Sequence, residues 1–143
     1  MRKLIDWWRN LEKVNGMRII RNRVIPFSGY KAINLFGILF AKPKAKIDEM
    51  TINHESIHSK QYKEVTLVLA IPLLALSYSV SWWWIILIPF TFYIWYVVEF
   101  LIRWAITRNW DDAYRNIGFE KEAYVWQGMP DERKRFGFLK YMI

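Results

Sequence analysis

Residues 65–98 read VTLVLAIPLLALSYSVSWWWIILIPFTFYIWYVV, 34 consecutive positions without a charged side chain. As one helix this run would rise about 51 Å at 1.5 Å per residue. Bilayer hydrocarbon is only roughly 30 Å thick, so a single straight span is a poor use of it. Ser77-Tyr78-Ser79-Val80-Ser81, near the middle, is polar enough to turn, and Trp82-Trp83-Trp84 follows it in the manner of an interfacial belt. The expectation is a transmembrane helical hairpin, its first arm from about Gln61 to Val80 and its second from Trp82 to Ile106. Pro72 and Pro89 become kinks of the kind that spans tolerate. The run starts deep in the chain, after a basic region and without a small-residue cleavage site, which argues against a secretory signal.

Charge agrees with the hairpin. Thirteen Lys and Arg precede Val65, eight follow from Arg103 onward, and the turn has none. The positive-inside rule then puts both termini in the cytoplasm, and a helical hairpin favours the bacterial inner membrane over a β-barrel environment. A formal charge of +8 on a chain that is 54% hydrophobic points to anionic membrane lipids as partners. Nucleic acid is disfavoured, because the cations flank an apolar hairpin and no nucleic-acid motif is visible. The absence of cysteine excludes disulfides and thiolate metal sites.

The sharpest motif lies just upstream, His54-Glu55-Ser56-Ile57-His58, and it uses both histidines of the chain. Random placement would produce HExxH about once in a thousand tries in such a chain, which favours a metal site over two surface imidazoles. On a helix, positions i and i+4 share a face, so both rings can present a nitrogen to one zinc ion. Glu55 then stands beside the ion as the general base. A third protein ligand is needed, and the carboxylates beyond the hairpin are Asp111, Asp112, Glu120 and Glu122.

Around these features the chain reads as one membrane-embedded domain over 1–143, mainly α with a small β-hairpin. Residues 1–16 form an interfacial amphipathic helix ended by Asn15-Gly16. Residues 17–64 hold two short strands, from Met17 to Phe27 and from Ala32 to Ala41, then a helix capped by Asp48 that carries HExxH and runs straight into the membrane. The hairpin occupies 65–106. In 107–143, Asn109 to Asp112 mark a break, Ala113 to Gln127 form a polar helix kinked at Gly118, and Asp131 to Ile143 form a basic tail suited to a membrane surface. Glu99 and Arg103 read as an i, i+4 ion pair. Gln61, one turn after His58, reads equally as support for that ligand and as ordinary helix surface.

HExxH followed far downstream by a helical Glu-x-x-Ala, here Glu120 to Ala123, resembles the gluzincin metallopeptidases. The order HExxH, membrane hairpin, Glu-x-x-Ala is similar to that of membrane-embedded proteases of the prenyl-protein (CAAX) and heat-shock type. Ile25-Pro26-Phe27-Ser28-Gly29, a strand and then the HExxH helix resemble the metalloprotease domain of antibiotic-sensor membrane proteins. The chain also looks like a group of small membrane proteins of Bacteroidetes. The resemblance runs from about Ile25 to Tyr124, and HExxH is its specific motif. It implies a zincin-like fold with a C-terminal ligand helix, Zn2+ held by His54, His58 and Glu120, and Glu55 as catalytic base. Where these families often carry Asp four residues after the ligand Glu, this chain has Tyr124, which brings no charge. Glu122 is the alternative ligand, about 200° around a regular helix from Glu120, so the two cannot serve one ion.

The function expected is an integral-membrane zinc metallopeptidase hydrolysing a peptide bond near the membrane surface, on a peptide or membrane-protein substrate. The alternative is a membrane-anchored accessory or assembly subunit with a structural or vestigial zinc site. Tyr114, Tyr124 and Arg115 are candidate oxyanion donors, and the strand over Leu35 to Phe40 is the candidate peptide-binding edge.

Overall fold

The computed structural model describes residues 11–26 and 31–142. It is mainly helical, with four short strands: β1 (Leu11–Val14), β2 (Met17–Arg21), β3 (Ala32–Leu35) and β4 (Ile38–Ala41). They form one sheet in the order β1-β2-β4-β3, in which β2 and β4 run parallel and the outer pairs are antiparallel. Two corrections to the sequence reading follow. Leu11–Val14 is a strand rather than the end of an interfacial helix, and the remainder of that expected helix, residues 1–10, lies outside the described residues. The Ala32 to Ala41 run is a hairpin rather than one strand.

Both corrections come from two-residue turns whose centres adopt positive φ: Asn15 and Gly16 at 48° and 79°, Phe36 and Gly37 at 54° and 75°. That backbone twist matches the twist of paired strands and folds the chain straight back. Asn-Gly is a strong signal for such a turn, whereas Phe36 is bulky and disfavoured there. Tertiary contact holds it, because the Phe36 ring meets those of Tyr62, Phe90 and Tyr93, and the Tyr93 hydroxyl accepts from the Phe36 N–H. The β3–β4 turn is thereby fastened to the hairpin helices.

α1 (Glu49–Ser79) begins where Asp48 accepts a hydrogen bond from the Thr51 N–H at 2.9 Å, and it continues unbroken through HExxH and past Pro72. Met17, Ile19, Leu39 and Ala41 from the sheet pack on Ile52 of its first turn. After Val80-Ser81 the chain returns as a 3-10 helix (Trp82–Phe90) and then α2 (Thr91–Thr107). The expected second arm is thus partly 3-10, and Pro89 within that stretch has no N–H to give an α ladder.

Two helical stretches, Glu49–Ser79 and Trp82–Thr107, are long and apolar enough to cross a membrane. Only 6% and 17% of their most apolar windows are buried. A core helix of a soluble protein would be mostly covered, whereas here Leu67, Ile71, Ile94, Val97 and Leu101 point outward.

α3 (Trp110–Asn116) starts inside the expected break, with Asn109 accepting from the Asp112 N–H at 3.2 Å as its cap. A kink at Ile117 separates it from α4 (Gly118–Trp126). A short 3-10 turn (Gly137–Tyr141) closes the described chain. Its Phe138 is 2% exposed and joins Val65, Phe92, Ile117 and Phe119 in a second core. The tail expected to lie on the membrane surface therefore inserts its central aromatic between α2 and α4, at 4.6 Å between the rings of Phe138 and Phe119.

Candidate metal centre

The second core positions the site. Phe119, fully buried against Phe92 and Phe138, pins the first turn of α4. Glu99 of α2 accepts there from the Gly118 N–H at 2.8 Å, and the same oxygen takes Arg103 Nε and Nη2 at 2.9 and 2.8 Å. Glu99 and Arg103 do form the expected i, i+4 pair, but Glu99 also anchors α4.

With α4 so fixed, Glu120 faces α1. Its Oε2 lies 3.3 Å from His54 Nε2 and its Oε1 lies 3.2 Å from His58 Nε2, while the two imidazole nitrogens are 3.1 Å apart. Ligands about 2.0–2.1 Å from a tetrahedral ion stand roughly 3.3 Å from one another, and the two imidazole nitrogens have that spacing, each with a different oxygen of the Glu120 carboxylate at a similar distance. Among the described residues no further His, Asp or Glu joins the group. Burial alone would raise the Glu120 pKa, yet the charge of protonated His58 and hydrogen bonds from both imidazoles and Tyr96 hold it well below the usual carboxylate range. The site is built to keep an anion facing two imidazoles.

The outer nitrogens of both rings are occupied by glutamines. His58 Nδ1 is 2.8 Å from Gln61 Oε1, and His54 Nδ1 is 3.3 Å from Gln127 Oε1. Gln61 Nε2 meets the Phe119 carbonyl at 3.0 Å and Glu122 Oε2 at 2.8 Å, both acceptors, so the amide NH2 must face them. Oε1 then accepts from Nδ1–H of His58, so the proton that the ring gives up on binding a metal is the one at Nε2. Gln61 is therefore a buried partner of His58, not helix surface. Tyr124, four residues after Glu120, lays its ring against His54 at 4.7 Å.

Glu122 is fully buried on the side of α4 that faces Gln61 and Arg133, pairing with Arg133 Nη2 at 2.9 Å, and so is not the alternative ligand. Asp111 and Asp112 are exposed on α3. A groove of about 360 Å³ opens beside the centre, lined by β3, Glu55, His58, Tyr62, Tyr93, Tyr96 and Tyr114. Burial and the Glu120 charge hold the Tyr114 phenol above its usual pKa, so it stays a neutral donor. Arg115 is exposed and outside that lining. The outer strand on this side, among the described residues, is β3; β4 lies between β2 and β3, so the edge is Ala32–Leu35 rather than Leu35 to Phe40. Asn34 of β3 ties this edge to the site by donating to the Glu55 carbonyl at 2.7 Å.

No protein-family model, curated protein or solved structure matches this chain. The site therefore stands on its own geometry. Sequence reading missed Tyr96, which donates to Glu120 Oε1 at 2.7 Å; within an apolar arm it carried no separate signal. Gln127 was read only as the end of a helix.

Proposed function

We propose that this chain is an integral-membrane zinc metallopeptidase of gluzincin type, holding Zn2+ through His54, His58 and Glu120. The observation that carries the reading is the pair of Nε2 atoms 3.1 Å apart with the two oxygens of the Glu120 carboxylate 3.2 and 3.3 Å from them, one facing each ring. Two imidazoles and one carboxylate are a donor set typical of catalytic zinc, which keeps a fourth position open. Zinc, when bound, supplies the Lewis acidity that makes water a nucleophile near neutral pH and polarises a carbonyl.

The protein's own groups do the rest. Glu55, in the groove wall next to His58, takes the proton of the attacking water and delivers it to the leaving amine. Tyr114, neutral and lining the same groove, donates to the carbonyl oxygen as it gains charge. A peptide, or an unwound segment of a membrane protein, adds to the free edge of β3 through main-chain hydrogen bonds. The hairpin sits in the bacterial inner membrane with anionic lipid around its basic flanks, and the site faces the cytoplasm.

The test is metal content and hydrolysis of a peptide library by the full chain in lipid nanodiscs. One zinc per chain is expected, with cleavage lost on chelation. Glu55→Gln should keep the metal and lower kcat by about 10²–10⁴-fold. Stoichiometric zinc without any cleavage, or cleavage indifferent to Glu55→Gln, would instead favour the accessory subunit.

A further inference from the structure

The support behind His58 does not end at Gln61. Glu122 Oε2, which accepts from Gln61 Nε2, also pairs with Arg133 Nη2 at 2.9 Å. The guanidinium grips Glu64 of α1 at the same time, Nη1 to Oε1 and Nη2 to Oε2, both at 2.8 Å. Glu64 Oε2 takes the Phe136 N–H at 3.0 Å as well. The Arg133 and Glu122 side chains are 2% and 0% exposed. Gly137 passes so close over Glu122 that a methyl group in its place would overlap Oε1. A cation from a segment rich in Arg and Lys has thus been drawn fully inside, onto two carboxylates of different helices. Metal coordination by itself asks for none of this.

We propose that Arg133 is a positioning residue for the metal centre, acting on His58 through Glu122 and Gln61. The inference rests on the zinc reading above. Arg133 fixes the Glu122 carboxylate, and an acceptor at that point fixes which end of the Gln61 amide faces His58. With Glu122 displaced, only the Phe119 carbonyl still orders the amide. A flipped amide would present NH2 to Nδ1, move the ring proton to Nε2 and block the atom that binds the ion. The C-terminal segment therefore governs metal affinity from outside the ligand set.

The experiment is a zinc competition titration against a chromogenic chelator, with the full chain in detergent micelles and folding checked by circular dichroism. Arg133→Gln and Glu122→Met, which removes the acceptor, should each weaken zinc binding about 10–100-fold, the range for loss of a ligand's supporting partner. Gln61→Leu should do the same, and Gln61→Leu combined with Arg133→Gln should lose little more than Gln61→Leu alone. Co2+ absorption should shift in the same variants, since the ligand ring is reoriented. Lys60→Ala serves as control: Lys60 donates to the Pro130 carbonyl at 3.0 Å and so holds the same segment without touching the relay, and it should leave affinity unchanged. If Arg133→Gln does not fold, Glu122→Met, which keeps the side-chain length without the acceptor, carries the test. Folded variants with wild-type affinity, or losses that simply add, overturn the proposal while the zinc reading stands. A wild-type chain that binds no zinc overturns both.

Discussion

Glu99→Ala is the substitution most damaging to this architecture for its distance from the metal. One oxygen, 5% exposed as a residue, accepts from Arg103 Nε, Arg103 Nη2 and the Gly118 N–H. Removing it strands a buried guanidinium, for which one broken buried pair costs about 3–5 kcal/mol. It also leaves the first N–H of α4 without its acceptor, about 1–3 kcal/mol if nothing replaces it. Arg103 retains the Tyr141 carbonyl at 3.1 Å, which softens the first figure, and the two losses share one oxygen and do not add. A net loss of about 3–4 kcal/mol is expected, a factor of several hundred in the folding equilibrium. Glu99→Gln keeps an acceptor and gives up the charge, so about 1–1.5 kcal/mol is expected. Denaturant unfolding in mixed micelles measures both, and amide exchange should accelerate first across Gly118–Ala123. Zinc affinity should fall as well, because the same helix turn carries Glu120. A change below about 0.5 kcal/mol, with exchange at Gly118 unaltered, would refute the idea that α4 hangs on Glu99.

Zinc affinity should fall as pH is lowered from 9 to 5.5, because His58, whose pKa burial would lower but the Glu120 carboxylate raises to about 9, must release a proton to bind while Glu120, held below the usual carboxylate range, stays ionised throughout. A flat titration would remove His58 from the ligand set. Gly37→Ala places a Cβ at φ 75°, with its nearest neighbours at an ordinary 3.7 Å, so it should cost about 1–2 kcal/mol of backbone strain and leave zinc affinity alone. Since the chain has no cysteine, nitroxide labels at Ile71→Cys and Met50→Cys report position directly. The first should be reached by oxygen and shielded from a nickel chelate, the second the reverse, and a water-accessible label at Ile71 would take the hairpin out of the lipid.

Much of this was legible because the decisive signals were local. HExxH states its own spacing, 34 uncharged residues mark two helices long and apolar enough to cross a membrane, and Asp48 sits where a helix cap should. The sheet was harder to read. Leu11–Val14 carries an apolar spacing that a helix would also use, and only its pairing with Met17–Arg21 makes it a strand. Phe36 turns a chain that its own preferences would extend, since the aromatic cluster it joins comes from residues 26 to 57 positions away. Glu122 and Glu120 were both plausible ligands at the level of residue type. What separated them was Arg133, whose place in a run of cations concealed its burial. Tertiary partners of opposite charge leave no local periodicity to find.

The continuity of α1 makes the proposed site and the proposed membrane hairpin one object. His54, His58 and Gln61 share a helix with the span that starts at Val65, and seven residues from His58 to Val65 amount to about 10 Å. Counting roughly 30 Å of hydrocarbon back from Val80 uses about twenty residues and ends at Lys60 and Gln61. Lys60 lies at that boundary and His58 and His54 follow two and six positions further from the bilayer, so in the proposed reading the metal centre falls at headgroup depth rather than in bulk water. The β3 edge is held at the same depth, because the Phe36 turn is fastened to Tyr93 of α2. In the proposed reading, a substrate emerging from the bilayer meets the edge strand and the metal where it leaves the lipid. Lengthening α1 by one turn between Gln61 and Val65 would lift the centre about 5 Å but also break the Glu64–Arg133 grip, whereas lengthening both arms near Val80 moves it without touching the site. Activity that survives the second change on soluble peptides and declines on membrane-anchored ones would separate depth from chemistry.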